Sequence, residues 1–257
     1  MEIFLNADAW IALLTLTFLE IVLGIDNIIF ISIATGKLPE QQRKKATKIG
    51  MFLAMFMRIV LLFGISVLIA MKKPWFTIDF SWFDAQVSGQ SIILFLGGLF
   101  LIYKSTTEIR AKVDEKGEEE LHLGKVAAKT FSSVILQIIL IDLVFSFDSI
   151  LTAVGMTNGV EGALTIMIIA VVVSVLIMMQ FAVPVGNFVN KHPSIQILGL
   201  SFLILIGFML LTESAHLSNA LIFGNYVTPI PKGYLYFAIS FSLLVEVLNM
   251  KSSKNKK

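Results

Sequence analysis

Seven long apolar stretches constrain the fold of this chain more than any other feature of its sequence. They lie near residues 9–35, 49–71, 87–106, 130–155, 163–185, 195–213 and 233–250. A helix needs roughly 20 apolar residues to cross a hydrocarbon core about 30 Å thick, and each stretch meets that length. Hydrophobic residues make up 56% of the chain, which exceeds the fraction usual in soluble domains. We therefore predict an all-α polytopic membrane protein with seven transmembrane helices.

Basic residues mark every second connection between these spans, and this bias predicts the orientation of the chain. The basic positions are Lys37, Arg43, Lys44, Lys45 and Lys48, then Arg110, Lys112, Lys116, Lys125 and Lys129, then Lys191, and finally Lys251, Lys254, Lys256 and Lys257. Cytoplasmic loops carry such an excess of Lys and Arg. We expect the N-terminus outside and the C-terminus in the cytoplasm. The aromatic segment 74–83 is expected at the outer membrane surface. The net charge is only +2, and the basic residues lie in loops between the spans, which argues against a nucleic-acid partner.

Two acidic motifs indicate an internal repeat. Residues 19–29 (LEIVLGIDNII) align with residues 141–151 (IDLVFSFDSIL), and a carboxylate matches a carboxylate at both polar positions. The same offset sets Arg58 beside Gln180, and a smaller offset sets Glu108 beside Glu213. Each repeat holds three spans, and the repeats cover residues 9–106 and 130–213. They are joined by a charged linker at 107–129, which we expect to be cytoplasmic and flexible. Because three is odd, the second repeat crosses the membrane in the opposite sense, and the span at 233–250 lies outside the repeats.

Four acidic residues within the spans are the main candidate functional groups. Glu20 and Asp142 fall near the membrane midplane of such an inverted repeat, and Asp26 and Asp148 are displaced toward opposite surfaces. A carboxylate at the centre of a helix costs about 2.5–3.5 kcal/mol, so four unpaired ones would cost on the order of 10 kcal/mol. Arg58 is the only basic residue deep in a span and can balance one of them. The other carboxylates would then be neutralised by protons or by bound cations. The alternative is that the acids form a purely structural network of ion pairs and hydrogen bonds.

The residue types around these acids favour a hard divalent cation. The chain has no cysteine and its three histidines lie outside the spans, so oxygen atoms are the available ligands, and these suit Mn²⁺, Mg²⁺ and Ca²⁺. Gly24 and Ser146 each lie between the two acids of a motif. Local unwinding there would bring the acids together and free backbone carbonyls, whereas an unbroken helix would use Gly24 for close packing. Glu108 and Glu213 are secondary candidates because an acid near the end of a span costs little.

The motifs resemble those of the TerC family, which is named for tellurium resistance and placed with the cation-exporting LysE superfamily. The resemblance rests on residues 18–27 (FLEIVLGIDN), 142–149 (DLVFSFDS) and 231–234 (PKGY), and it covers nearly the whole chain. It implies export of Mn²⁺ across the plasma membrane of a bacterium, with roles in metal homeostasis and no organic cofactor. By position, the implied metal ligands are Glu20, Asp26, Asn27, Asp142, Asp148 and Ser149.

Two other functions remain open for the same residues. One is a membrane factor that delivers Mn²⁺ to secreted enzymes at the secretion machinery without transporting it. The other is an intramembrane aspartyl protease with Asp26 and Asp148 as its dyad. The glycine-rich motif expected beside one protease aspartate is missing, so we do not expect an enzyme. No nucleotide-binding loop is present in the sequence, and an exporter would therefore need an ion gradient, the membrane potential or a partner for energy, with protons as one candidate coupling ion.

Overall fold

A computed structural model describes residues 7–118, 130–157 and 159–254, with the side chains at positions 25, 26, 115–118, 253 and 254 outside the description. Within these residues the chain forms eight helices and four strands. In order they are α1 (Ala7–Gly36), α2 (Glu40–Phe63), α3 (Ile65–Ala70), β1 (Pro74–Phe80), β2 (Phe83–Ser88), α4 (Gly89–Glu118), α5 (Phe131–Met156), α6 (Ala163–Lys191), α7 (Pro193–Leu217), β3 (Leu221–Ile222), β4 (Asn225–Tyr226) and α8 (Lys232–Lys254). All the helices except α3 are long and apolar enough to span a membrane, which confirms the seven predicted spans.

The ends of two helices differ from the prediction. The second span was expected to continue to residue 71, but α2 ends at Phe63 with Gly64 as its C-cap, and the short helix α3 follows. The linker predicted to begin at residue 107 is helical up to Glu118, because this stretch is rich in helix-forming residues and carries an Arg110–Asp114 pair one turn apart at 3.5 Å. Residues 119–129 of that linker lie outside the described residues.

The chain divides into two compact units, and the first contains residues 1–67 and 127–191. Within it, α1 packs along α6, and α2 packs against α5 and α6. Small residues allow the close approach of α1 and α6, as expected between membrane helices. A Cβ atom added to Gly186 would lie 3.1 Å from the Ser32 hydroxyl oxygen. If the two predicted repeats were exchanged, the α1–α6 pair would become the α5–α2 pair, and both pairs are packed in the structure. The inverted repeat itself stays a prediction.

The second unit contains residues 68–126 and 192–257. Here α4 packs along α7, α8 contacts α7, and an antiparallel sheet of order β1-β2-β3-β4 lies beside them. The sequence analysis missed this sheet, which includes the segment 74–83 expected only as an interfacial region. The alternation of apolar and polar residues from Phe83 to Val87 was the available signal. The β3–β4 turn holds Phe223 and Gly224 at φ of 49° and 77°, the positive values that a tight type I′ turn requires.

A buried hydrogen bond joins α4 to α7 in the second unit. The Ser214 hydroxyl donates to the backbone carbonyl of Ser91 at 2.6 Å. Interhelical bonds of this kind contribute about 0.6 kcal/mol on average and at most about 1.7. We expect Ser214→Ala to lower the free energy of unfolding in mixed micelles within that range. Ser201→Ala is the matched control, since its exposed hydroxyl bonds only within α7, to Ile197, and an equal loss for both variants would contradict the prediction.

Candidate functional site

One arginine joins two carboxylates in the interior of the first unit. Arg58 Nη1 of α2 donates to Glu20 Oε2 of α1 at 2.5 Å, and Nη2 donates to Asp142 Oδ1 of α5 at 2.6 Å. The Arg58 Nε atom also donates to Asp142 Oδ2 at 3.2 Å, so the contact with Asp142 is bidentate. The planar fork of a guanidinium group favours this geometry. The sequence predicted that Arg58 balances the charge of one carboxylate, and in the structure two carboxylates share it.

Two polar side chains complete the surroundings of Asp142. Asn27 Nδ2 of α1 donates to Asp142 Oδ1 at 3.2 Å, and Ser146 Oγ donates to Asp142 Oδ2 at 2.9 Å from one turn along α5. Asp142 therefore accepts four hydrogen bonds, two on each oxygen. We call the five residues Glu20, Asn27, Arg58, Asp142 and Ser146 the Arg58 cluster.

The Arg58 cluster is buried and, by formal charge, has one carboxylate in excess of its single guanidinium. Glu20, Arg58 and Asp142 are only 5%, 3% and 5% exposed, and two carboxylates are set against one guanidinium. Large apolar side chains such as Phe52 and Phe56 are instead exposed on α2. A polar interior with an apolar outer face is the arrangement expected of helices surrounded by lipid.

A small cavity of about 20 Å³ borders the Arg58 cluster, large enough for roughly one water molecule. Its lining residues are Asn27, Ile28, Ile31, Met51, Ala54, Arg58, Asp142, Val175 and Met178. Asn27 Oδ1 is buried and has no hydrogen-bond partner in the described part of the chain. A buried carbonyl oxygen without a partner is costly, and it is a ligand type that hard cations accept.

Two of the other predicted ligands lie farther along α5. Asp148 is half-buried farther along α5, and the Ser149 hydroxyl donates to the backbone carbonyl of Ser146 at 3.3 Å. The side chain of Asp26 lies outside the described residues. Among the described side chains, no group of three or more His, Cys, Asp or Glu residues is arranged to hold a metal ion.

Of the two alternatives considered for these motifs, the structure shows unbroken helices and not local unwinding. Both helices continue through Gly24 and Ser146, so no backbone carbonyl is freed there. Gly24 instead makes room for a neighbouring helix, since an added Cβ would lie 2.1 Å from the Met178 sulfur of α6. Because α5 is unbroken, Asp142 and Asp148 are separated by about 120° around its axis.

The secondary candidates lie elsewhere. Gln180, the predicted counterpart of Arg58, is exposed on α6. Glu108 is buried in the second unit, and Lys104 Nζ lies 3.0 Å from its carboxylate, one turn earlier in α4. Glu213 is half-buried on α7.

Comparison with known proteins identifies the family. The model of the "Integral membrane protein TerC family" matches residues 5–257. The chain belongs to the TerC family of integral membrane proteins. Within that family it is similar to the UPF0053 inner membrane protein YgdQ of Escherichia coli strain K12, with 46% identity over 250 residues that cover 97% of this chain and 95% of YgdQ.

Two further relatives differ from each other in length. A UPF0053 protein of Haemophilus influenzae is 43% identical over 247 residues, covering 96% of this chain and 95% of that protein. The UPF0053 inner membrane protein YoaE of Escherichia coli strain K12 is 43% identical over 256 residues, but this alignment covers only 45% of YoaE. No solved structure matches the chain.

Proposed function

We propose that this TerC-family protein transports a divalent metal cation across the bacterial inner membrane and that Mn²⁺ is its substrate. The observation that carries the proposal is the Arg58 cluster, in which Glu20 and Asp142 share one guanidinium and leave a buried negative charge in excess. A charge at this depth is costly and marks ion pathways in membrane proteins.

The donor atoms of the cluster support a hard divalent cation as the substrate. Glu20, Asp142, Asn27 and Ser146 offer carboxylate, amide and hydroxyl oxygens, which are the ligands of Mn²⁺, Mg²⁺ and Ca²⁺. The resemblance to cation exporters favours Mn²⁺ among these three ions. Asp26, Asp148 and Ser149 remain proposed ligands along the path that leads to and from the cluster.

The cellular setting follows from the relatives and from the charge bias of the loops. The names of YgdQ and YoaE place those proteins in the inner membrane, and we propose the same location here. With the N-terminus outside and the C-terminus in the cytoplasm, export would carry the ion outward in exchange for protons or with the membrane potential.

Flux into liposomes containing the purified protein tests the proposal. We expect saturable Mn²⁺ uptake under an imposed pH gradient, measured beside Ca²⁺, Mg²⁺ and Zn²⁺. Glu20→Gln and Asp142→Asn should each lower the initial Mn²⁺ rate at least about tenfold, because each removes a charged ligand whose bonds are worth about 1.5–3 kcal/mol.

The matched control is Glu161→Gln, which removes an exposed carboxylate between α5 and α6 and should leave the rate unchanged. The proposal would be contradicted if folded wild-type protein moved none of the four metals across the liposome membrane. If such protein also co-purified with secretion machinery and bound Mn²⁺, metal delivery would be favoured instead.

A further inference from the structure

We propose that Arg58 is a built-in competitor of the substrate cation. In the metal-free protein its guanidinium holds the position between Glu20 and Asp142, and a metal ion binds there only when Arg58 withdraws. This inference rests on the proposed function and deepens it, because it concerns how the same site is loaded and emptied.

The hydrogen bonds of Asp142 carry the first step. A carboxylate offers about four acceptor sites, and four donors already occupy those of Asp142. Arg58 Nη2 and Asn27 Nδ2 bond Oδ1, and Arg58 Nε and Ser146 Oγ bond Oδ2. A cation can coordinate this carboxylate only by displacing at least one donor.

Charge determines which donor leaves. A divalent cation beside Arg58 would place like charges next to each other in a buried site, where their repulsion is much stronger than in water. Two carboxylates and one divalent cation are neutral without the guanidinium, whereas the same set with Arg58 carries an excess positive charge. Ser146 and Asn27 are neutral, so a nearby cation repels them far less than it repels the guanidinium. Arg58 is therefore the group displaced.

The geometry also fits an exchange at one place. The two amino groups of Arg58 that hold Glu20 and Asp142 are bonded to the same carbon atom, so the two acceptor oxygens lie on either side of a single small group. The adjoining cavity of about 20 Å³ provides a free volume of roughly one water molecule beside these atoms. A turn of the Asn27 amide would present its unpartnered Oδ1 in place of Nδ2 and convert it from a donor into a ligand.

Equilibrium binding of Mn²⁺ to purified full-length protein tests the inference, with free Mn²⁺ followed by its electron paramagnetic resonance signal. Displacing Arg58 breaks charge-assisted bonds, so we expect Arg58→Gln to bind Mn²⁺ about tenfold or more tightly than the wild type. The same variant should release the ion slowly and show a lower turnover in liposomes.

Arg58→Lys keeps the charge but cannot form the fork, and it covers the case in which Arg58→Gln does not fold. We expect its Mn²⁺ affinity to lie between those of the wild type and Arg58→Gln. Added Mn²⁺ should also raise the unfolding temperature of the Arg58 variants more than that of the wild type.

The outcomes separate this inference from the proposed function. If the wild type transports Mn²⁺ but both Arg58 variants bind it no more tightly, Arg58 is a ligand support or a structural group and only the present inference fails. If neither the wild type nor the variants bind Mn²⁺, both fail.

Discussion

Replacing Arg58 alone with leucine is expected to lower the free energy of unfolding of the metal-free protein by about 3–5 kcal/mol, the cost of breaking a buried ion pair by removing one partner. Arg58 contacts two carboxylates that are 5% exposed, and the variant leaves both without their cation. Reversible unfolding in mixed micelles with a metal chelator present measures the loss.

A triple variant tests whether the Arg58 cluster contributes to stability or to function. Buried ion networks often contribute little net stability, because the penalty of removing charges from water offsets their attraction. We expect Glu20→Leu, Arg58→Met and Asp142→Leu, combined in one protein, to recover most of the stability that Arg58→Leu loses. The same protein should be inactive in Mn²⁺ flux.

The comparison of the two variants decides between a structural and a functional role. A stable but inactive triple variant means that the charges serve the substrate rather than the fold. A triple variant as unstable as Arg58→Leu would contradict this prediction and favour a structural ion-pair network.

The seven spans could be predicted because length and apolarity identify the helices that are able to cross a bilayer. The pairing of Glu20 with Arg58 and Asp142 was only partly predictable. The motif alignment placed both acids near the midplane, and Arg58 was the only deep cation, but its reach to both acids depends on how α1, α2 and α5 pack. Such packing is not encoded in any local pattern.

Two features of the fold depend on tertiary contacts that the local sequence does not specify. The sequence left open whether Gly24 interrupts α1 or permits close packing, and the structure shows that its missing side chain accommodates Met178 of α6. The aromatic residues of β1 were interpreted as a membrane-interface belt, and their pairing with β2 was overlooked although Phe83 to Val87 alternate as a strand does. In each case the deciding contact lies on another element of the same unit.

The largest packing effect is expected where α4 crosses α7, at Gly98 and Gly207. A Cβ atom added to Gly98 would lie 2.7 Å from the backbone carbonyl oxygen of Gly207, and one added to Gly207 would lie 2.9 Å from that of Gly98. Because the obstacle is backbone, no side-chain rotation relieves it and the helices must separate. We expect Gly98→Ala to cost about 1–3 kcal/mol of unfolding free energy, as overpacking does, measured by unfolding in mixed micelles.

Gly155→Ala is the control, since nothing lies within 4 Å of an added Cβ at this exposed position of α5. It should be neutral or stabilising by up to about 1 kcal/mol, because alanine favours a helix over glycine. Equal tolerance of both substitutions would contradict a close α4–α7 crossing. The double variant Gly98→Ala with Gly207→Ala sharpens the test: one separation of the helices makes room for both methyl groups, so its cost should be well below the sum of the single costs.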